Sequence, residues 1–167
     1  MTLERLWAGW RAAYVADAAK SPEAGSAACL FCGLAAADPE EALVVAREDR
    51  AFAVMNAFPY TSGHLMIAPL RHEGDLEDLE PDEATAVMRM AQQAVVALKG
   101  AYSPDGLNLG VNIGRVAGAG VPDHVHMHAL PRWSGDTNFM TTVAETRVLP
   151  EDLRTSWEKV RAAWPRR

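Results

Sequence analysis

The sequence predicts an α+β protein in which helices pack against an antiparallel sheet. Two apolar runs, at 51–56 and 64–70, have the composition of strands, and the segment between them carries the turn residues Pro59 and Gly63. A long helical pattern from Glu80 to Gly100 follows these strands. Strands joined by a short turn pair antiparallel, so the helix is expected to cover one face of the resulting sheet.

The N-terminal part of the chain is predicted to contain one helix, a loop and a tight knuckle. The helix follows from apolar residues that recur at spacings of three and four, namely Leu3, Leu6, Trp7, Trp10 and Tyr14. Residues 19–28 are predicted to be a loop, because Ser, Pro and Gly interrupt the pattern. After this loop, a tight knuckle is predicted over Cys29 to Gly33.

The helix from Glu80 to Gly100 is the clearest element. Pro81 suits its first turn, and the apolar pattern stops at Gly100. The predicted buried stripe consists of Ala84, Val87, Met88, Ala91, Val95 and Leu98.

The C-terminal half is predicted to add two strands and a last helix. Residues 107–114 alternate as a strand does, with an apolar face made of Leu107, Leu109, Val111 and Ile113. A Gly-rich loop at 115–123 leads to a strand that carries the histidine run 124–128. The last helix starts at Pro150 and buries Leu153, Trp157, Val160 and Trp164.

Length and charge narrow the class of protein. The 167 residues suit one domain, and the net charge of −6 argues against a general nucleic-acid binder, which needs a basic surface. The sequence contains no apolar run of the roughly 20 residues that cross a bilayer, and its first residues lack a signal-peptide core. A cytoplasmic protein with no membrane partner is therefore expected.

Three of the five histidines, His124, His126 and His128, stand at alternate positions. On a strand they share one face, about 6.6 Å apart, while the residues between them face the core. One interpretation is a set of solvated or structural histidines. A second is a three-histidine metal centre with an open position. A third is nucleophilic catalysis on phosphorus, in which an imidazole attacks a phosphate and glycine-loop amides hold its oxygens.

The run HVHMHALPRW resembles the histidine triad motif of the histidine triad (HIT) superfamily of nucleotide hydrolases and transferases. The segments VMNAFPYTSGHLMIAPLRH and LNLGVNIG are similar to the first hairpin and to the strand before the triad in that family. PRWSGDTNFM is similar to the bacterial branch that includes diadenosine tetraphosphate phosphorylases. The resemblance covers roughly residues 43–140 and implies one HIT domain over 1–167, with a sheet of about five antiparallel strands and additional N- and C-terminal helices.

The resemblance also implies roles for individual residues. His126 corresponds to the nucleophile and His128 to its partner at the phosphate. Asn56 corresponds to the residue that holds the ribose, and Asn112 to the polar residue near the phosphate. The role of His64 stays open between a site residue and a structural histidine.

The phosphate loop departs from the family pattern. Val121 stands where many members carry Ser or Thr, so we expect backbone amides near Gly118 and Gly120 to replace the hydroxyl.

Cys29 and Cys32 form a C-x-x-C pair, which alone fits a metal site, a redox pair or two buried free thiols. A structural zinc site needs four ligands. The resemblance to relatives such as the galactose-1-phosphate uridylyltransferase branch implies that His72 and His124 complete the set. Zinc is therefore the expected cofactor.

The function expected from this resemblance is nucleotide hydrolysis or nucleotidyl transfer through a nucleotidyl-histidine intermediate. The expected substrates are dinucleoside polyphosphates such as diadenosine tetraphosphate, with water or inorganic phosphate as the acceptor, and the expected assembly is a homodimer. The alternative is a zinc-stabilised module that binds nucleotides or partners without turnover.

Overall fold

The computed structural model describes residues 29–136 and 149–165, which hold five strands and three α-helices. The strands are β1 (Val44–Arg47), β2 (Ala51–Met55), β3 (Leu65–Pro69), β4 (Gly106–Val111) and β5 (Met127–Arg132). The α-helices are α1 (Leu30–Ala36), α2 (Pro81–Tyr102) and α3 (Leu153–Ala162), and short 3₁₀ turns cover Leu76–Asp78 and Arg115–Ala117. The predicted N-terminal helix and the loop at 19–28 lie outside the described residues.

All strand pairs are antiparallel, and the sheet order is β1-β2-β3-β5-β4. The predicted α+β class with an antiparallel five-stranded sheet is confirmed. Strands β2 and β3 lie inside the sheet and are buried at every residue, which is why both read as continuous apolar runs.

Apolar clusters cover both faces of the sheet. Helices α2 and α3 pack on one face, against a cluster that includes Met55, Leu65 and Ile67. Helix α1 belongs to the cluster on the other face, where Phe31 packs with Phe52. Successive side chains of β2 and β3 point to opposite faces of the sheet, so these two strands contribute residues to both clusters.

Helix α2 begins and ends close to the predicted limits, and its buried face is rotated from the predicted stripe. Glu80 and Glu83 form a capping box at its start, and Lys99 lies in its last turn. Met88, predicted to be buried, is 52% exposed, and Ala84 is also exposed. The buried residues are Glu83, Val87, Met90, Ala91, Ala94, Ala97 and Leu98. Alanines on several sides of the helix made the phase of the pattern ambiguous.

Among the described strands, β4 lies at an edge of the sheet, and its predicted apolar face is only partly covered. Leu109 is 43% exposed, and Ile113, predicted to lie in the strand, follows its end at Val111 and is 45% exposed. An edge strand has a neighbour on one side only, which explains this exposure.

Helix α3 buries Trp157 and Val160 as predicted, and Leu153 and Trp164 pack against the same cluster. The helix begins after Asp152, whose side chain accepts the amide N–H of Thr155, and not at Pro150. Within the described ranges, no helix is both long enough and apolar enough to span a membrane.

Candidate active site

The histidine run belongs only partly to strand β5, which begins at Met127. The predicted strand over 124–128 is therefore wrong for its first residues. The amide N–H of Val125 donates to the carbonyl of Glu73 at 2.6 Å, so this part of the chain is bonded to a loop and leaves the sheet ladder. His124, His126 and His128 consequently have different surroundings.

His126 has a fixed tautomer. Its Nδ1 lies 2.8 Å from the carbonyl oxygen of His124, and only a protonated ring nitrogen can bond to a carbonyl. The Nε2 lone pair is therefore available, as a nucleophile at neutral pH requires. The ring of His126 is 5.0 Å from that of His128, centroid to centroid, in a T-shaped arrangement.

The structure gives His64 a place in the site that sequence reasoning left open. His64 is fully buried, and its Nδ1 accepts the amide N–H of Tyr60 at 3.1 Å. Its Nε2 therefore carries the proton and donates to Nδ1 of His128 at 2.9 Å. This bond leaves the proton of neutral His128 on Nε2, so His128 presents a hydrogen-bond donor on the side away from His64.

Burial disfavours the protonated form of His126 and of His128. Desolvation lowers the pKa of His126, and the bond to the His124 carbonyl offsets this in part. Desolvation, with a smaller contribution from the charge of His126, lowers the pKa of His128 to about 4. Protonating Nδ1 of His128 would also set it against the N–H of His64, which acts in the same direction.

The space beside His128 is open on the sheet. Gly110 of β4 lies directly opposite His128, and a Cβ added at Gly110 would meet nothing within 4 Å beyond its chain neighbours. On the other side of His128, the ring of Tyr60 stacks at 6.1 Å with an interplanar angle of 20°. A hydrogen-bond donor beside open space and an aromatic ring is an arrangement that can accept a phosphate ester.

The two asparagines predicted to bind substrate lie at the ends of strands. Asn56 follows β2; its Oδ1 accepts the amide N–H of Phe58 at 2.9 Å, and its Nδ2 lies 3.3 Å from Nδ1 of His64. Asn112 follows β4, and its Nδ2 donates to the carbonyl of Gly118 at 3.4 Å. Asn56 is thus brought against the histidine pair, and Asn112 against the Gly-rich loop.

The Gly-rich loop uses some of its amides internally. The N–H of Gly118 donates to Arg115 and the N–H of Ala119 donates to Gly114. Gly118 has a φ of 97°, which only glycine adopts readily. Val121 packs against the α1 cluster. Phosphate binding by Gly118 and Gly120 therefore stays a prediction.

The predicted metal ligands converge on one point. The ligand atoms of Cys29, Cys32, His72 and His124 all lie within 4.8 Å of one another. Cys29 Sγ is 3.3 Å from Nδ1 of His124, and Cys32 Sγ is 3.5 Å from Nδ1 of His72. Nε2 of His124 lies 3.0 Å from the carbonyl of Pro69 and must donate to it, so Nδ1 offers its lone pair to the cluster. Two thiols and two imidazoles are a donor set that suits tetrahedral zinc.

The knuckle at Cys29–Gly33 is the start of a helix, because α1 begins at Leu30 directly after Cys29. A helix at the first cysteine is also typical of redox pairs. Partial burial and the neighbouring sulfur of Cys29, however, raise the pKa of the Cys32 thiol, and reactive redox cysteines have lowered values. The nearby histidines favour the metal interpretation.

A cavity lies away from this chemistry. Its volume is about 600 Å³, and it lies at the opposite end of β2 from Asn56. Its charged lining is balanced, with Arg47, Arg50 and Arg89 facing Glu48, Asp49 and Asp82. No histidine lines it, so it is separate from the candidate active site.

The fold and the histidine cluster define a histidine triad protein, and the chain belongs to the HIT domain family, which matches residues 39–135. The AP-4-A phosphorylase of Mycobacterium tuberculosis is 38% identical over 167 residues, which cover 98% of this chain and 86% of that relative.

Two solved structures share the fold. A Zn-bound histidine triad family protein from Mycobacterium smegmatis has a TM-score of 0.67 at 28% identity, covering 83% of this chain and 94% of that one. A hypothetical histidine triad nucleotide-binding protein from Sulfolobus tokodaii has a TM-score of 0.65 at 25% identity, covering 81% and 91% of the two chains.

Proposed function

We propose that this protein transfers nucleotidyl groups from dinucleoside polyphosphates through a covalent intermediate on His126. One observation carries the proposal: the bond from Nδ1 of His126 to the His124 carbonyl, at 2.8 Å, leaves the lone pair of the ring on Nε2, and this ring lies 5.0 Å from the ring of His128. The similarity to an AP-4-A phosphorylase supports a dinucleoside tetraphosphate as the substrate.

The first step joins the substrate to the enzyme. The Nε2 lone pair of His126 attacks the phosphorus next to one nucleoside, an N–P bond forms, and the P–O bond to the remaining phosphate chain breaks. The departing phosphate carries the electron pair away, and it is a stable anion that needs no proton. The Nε2–H of His128 donates to the phosphate oxygens as their charge rises. Asn56 is proposed to hold the ribose, and Asn112, Gly118 and Gly120 to hold the phosphate.

The second step returns the nucleotide to an acceptor. An oxygen of inorganic phosphate or of water attacks the same phosphorus, and the N–P bond breaks with its electron pair returning to Nε2. The proton of the attacking hydroxyl group passes to solvent. Phosphate as acceptor gives a nucleoside diphosphate, and water gives a monophosphate. The name of the mycobacterial relative favours phosphate.

The test is incubation with diadenosine tetraphosphate, with and without inorganic phosphate. We expect ADP and ATP when phosphate is present, and AMP with ATP in its absence would indicate hydrolysis. A His126→Ala variant is expected to lose activity by at least about a thousandfold while it still binds AMP in calorimetry, since removing a nucleophile leaves binding groups in place. Turnover equal to that of the unmodified protein would refute the covalent mechanism.

Zinc is the proposed metal, held by Cys29, Cys32, His72 and His124. A closed set of four protein ligands makes such a site structural, and its role is to join the start of helix α1 to the segment that carries His126 and leads into β5. The Zn-bound mycobacterial neighbour supports this choice.

A homodimer is the proposed assembly, formed through β4. This strand is an edge of the sheet, and its Leu109 is 43% exposed. Edge strands with apolar side chains are suited to pairing with a second copy.

A further inference from the structure

Phe31 connects the cysteine pair to the proposed nucleophile. It lies between Cys29 and Cys32 in the sequence, and its side chain is only 1% exposed. Its ring lies 4.6 Å from the ring of His126 and 5.2 Å from the ring of His124, centroid to centroid. One side chain therefore contacts both a proposed metal ligand and the proposed nucleophile.

We propose that Phe31 is a positioning residue for His126, and that the metal cluster holds Phe31 in place. This inference rests on the proposed function of His126. The bond from Nδ1 to the His124 carbonyl fixes one point of the His126 ring and leaves the tilt of the ring about that point to be set by its neighbours. Phe31 packs at an interplanar angle of 34°, and His128 meets the ring edge-on at 71°. These two contacts restrict the direction of the Nε2 lone pair.

The direction of that lone pair matters for the rate. A nucleophile reacts efficiently when it is held in line with the bond that breaks, and small displacements reduce the rate strongly. Helix α1 has only seven residues, which is too short to be stable alone. Its position therefore depends on the packing of Phe31 and on the cysteines at its start, which the metal would tie to His72 and His124.

The competing explanation is that Phe31 only fills the core. Phe31 also contacts Phe52, which is fully buried, with the rings 6.4 Å apart. Phe52 belongs to the same cluster, and among the described residues its ring contacts Phe31 and no histidine ring. It is therefore the matched control, because Phe52→Leu removes a buried aromatic ring from the same cluster and leaves the ring of Phe31.

The first experiment compares Phe31→Leu with Phe52→Leu in single-turnover reactions with diadenosine tetraphosphate. Core damage lowers the amount of active protein, and so it lowers the amplitude of nucleotidyl-enzyme formation. Misplacement of His126 lowers the rate constant. We expect Phe31→Leu to slow the rate constant about tenfold or more with zinc content unchanged, and Phe52→Leu to leave it within about twofold. Equal rate constants for the two variants would overturn the proposal.

A second experiment needs no activity. In protein labelled with ¹⁵N-histidine, the Nδ1–H of His126 exchanges with solvent only when its hydrogen bond opens. Phe31→Leu should speed this exchange about tenfold or more, and Phe52→Leu should not. Unchanged exchange would overturn the role of Phe31 even if His126 proved not to be a nucleophile. An unmodified protein that forms no adduct would instead refute the proposed function alone. Phe31→Met serves both experiments if Phe31→Leu does not fold.

Removal of the metal tests the second half of the proposal. Chelation of the unmodified protein is expected to speed the His126 exchange to the level of Phe31→Leu, and chelation of Phe31→Leu is expected to add less than about twofold. Such non-additivity is expected when the metal acts on His126 through Phe31. Full additivity would show that the metal does not act through Phe31.

Discussion

The hydrogen bond between His64 and His128 determines which ring nitrogen carries the proton in each of the two side chains. Tyr60 donates its amide N–H to Nδ1 of His64, which in turn donates from Nε2 to His128. Each ring is limited to one tautomer by its neighbour, and the tautomer of His128 follows from a backbone amide that the sequence motif does not include. Histidine spacing alone therefore could not assign a role to His64, because the Tyr60 contact depends on the turn between β2 and β3.

Replacing His64 should disturb His128 in a defined direction. His64→Leu removes the N–H that faces Nδ1 of His128, so protonation at Nδ1 is no longer opposed and the pKa of His128 should rise. We expect kcat to fall about tenfold with little change in KM, and the acid limb of the rate profile to move to higher pH. His64→Gln is the control, because its amide can still donate. A pH–rate series on the three proteins checks this, and identical profiles would contradict it.

Activity should persist below the usual histidine range. Burial lowers the pKa of His126 below its ordinary value and brings that of His128 to about 4, so protonation of both rings is shifted to more acid pH. The acid limb of kcat/KM is therefore expected clearly below pH 6.5, the value for an unperturbed histidine. An acid limb centred at or above pH 6.5 would show that the site does not hold these rings neutral.

The same burial has a consequence for stability. The unfolded chain binds protons at these histidines as pH falls below about 6.5, whereas the folded chain, in which their pKa values are lowered, binds fewer. The free energy of unfolding should therefore decrease as pH falls from 6.5 towards 4. Urea titrations at several pH values measure this, and His128→Asn, which does not titrate, should show a smaller decrease.

At the scale of elements, the turn between β2 and β3 packs closely against the end of α2. Gly63, directly before His64, has a φ of 77°, and a Cβ there would lie 2.5 Å from the ring of Tyr102. The hydroxyl of Tyr102 donates a hydrogen bond to Glu151, which lies next to the start of α3. The Tyr102 ring therefore has little freedom to move. The turn, α2 and α3 are thus tied together at one point.

Gly63→Ala should therefore destabilise the protein and disturb His64. The positive φ and the close approach together should cost about 1–3 kcal/mol of the free energy of unfolding. Gly106→Ala is the matched control, because a Cβ at Gly106 meets nothing within 4 Å and its φ is not positive. Thermal unfolding measures both variants, and equal melting temperatures would show that the turn can adapt.

The short helix α1 should depend on the metal. Its seven residues cannot hold a helix alone, and its first turn carries one cysteine at either end. Chelation is expected to lower Tm by several degrees, as expected for a metal that binds only the folded state. Cys32→Ser should show the lower Tm at the outset and no further shift with chelator. Less than about half an equivalent of zinc in purified protein would contradict the site.

Element types were predictable because β2, β3 and α2 have strong periodic or continuous apolar patterns. The rotation of α2, which exposes Met88, was not predictable, because alanine fits both buried and exposed positions. The start of β5 was not predictable either, since it depends on a bond from Val125 to the distant Glu73. In the candidate site, the convergence of the four proposed metal ligands agrees with the set that the family resemblance implied.

At the scale of the whole molecule, the two edges of the sheet differ. Strand β4 presents its outer edge with Leu109 partly exposed. On β1, the indole N–H of Trp157 donates to the carbonyl of Val44 at 3.0 Å, and the amide of Val44 donates to Pro39 at 2.8 Å. Helix α3 and the chain before β1 therefore occupy this edge at Val44. The cytoplasmic location and the single-domain organisation over 1–167 remain predictions.

A charge on β4 should separate the proposed dimer. Leu109→Lys places an ammonium group where two copies would meet, and charged side chains are a common means of blocking edge pairing. Light scattering is expected to give the mass of a dimer for the unmodified protein and of a monomer for Leu109→Lys. Leu76→Lys, at a residue that is also 43% exposed, should leave the mass unchanged. A monomeric unmodified protein would contradict the proposal.

The occupied carbonyl and amide of Val44 set an upper limit on how far copies of this chain can add to one another. A ribbon of sheets grows into a fibril only when every member can accept a neighbour on both flanks. On β1 the Val44 carbonyl is already bonded to the Trp157 indole and the Val44 amide to Pro39, so a further copy cannot pair with β1 at Val44. Trp157→Phe would free the Val44 carbonyl and leave the Val44 amide bonded to Pro39, so we expect the edge of β1 to become only partly available to a further copy.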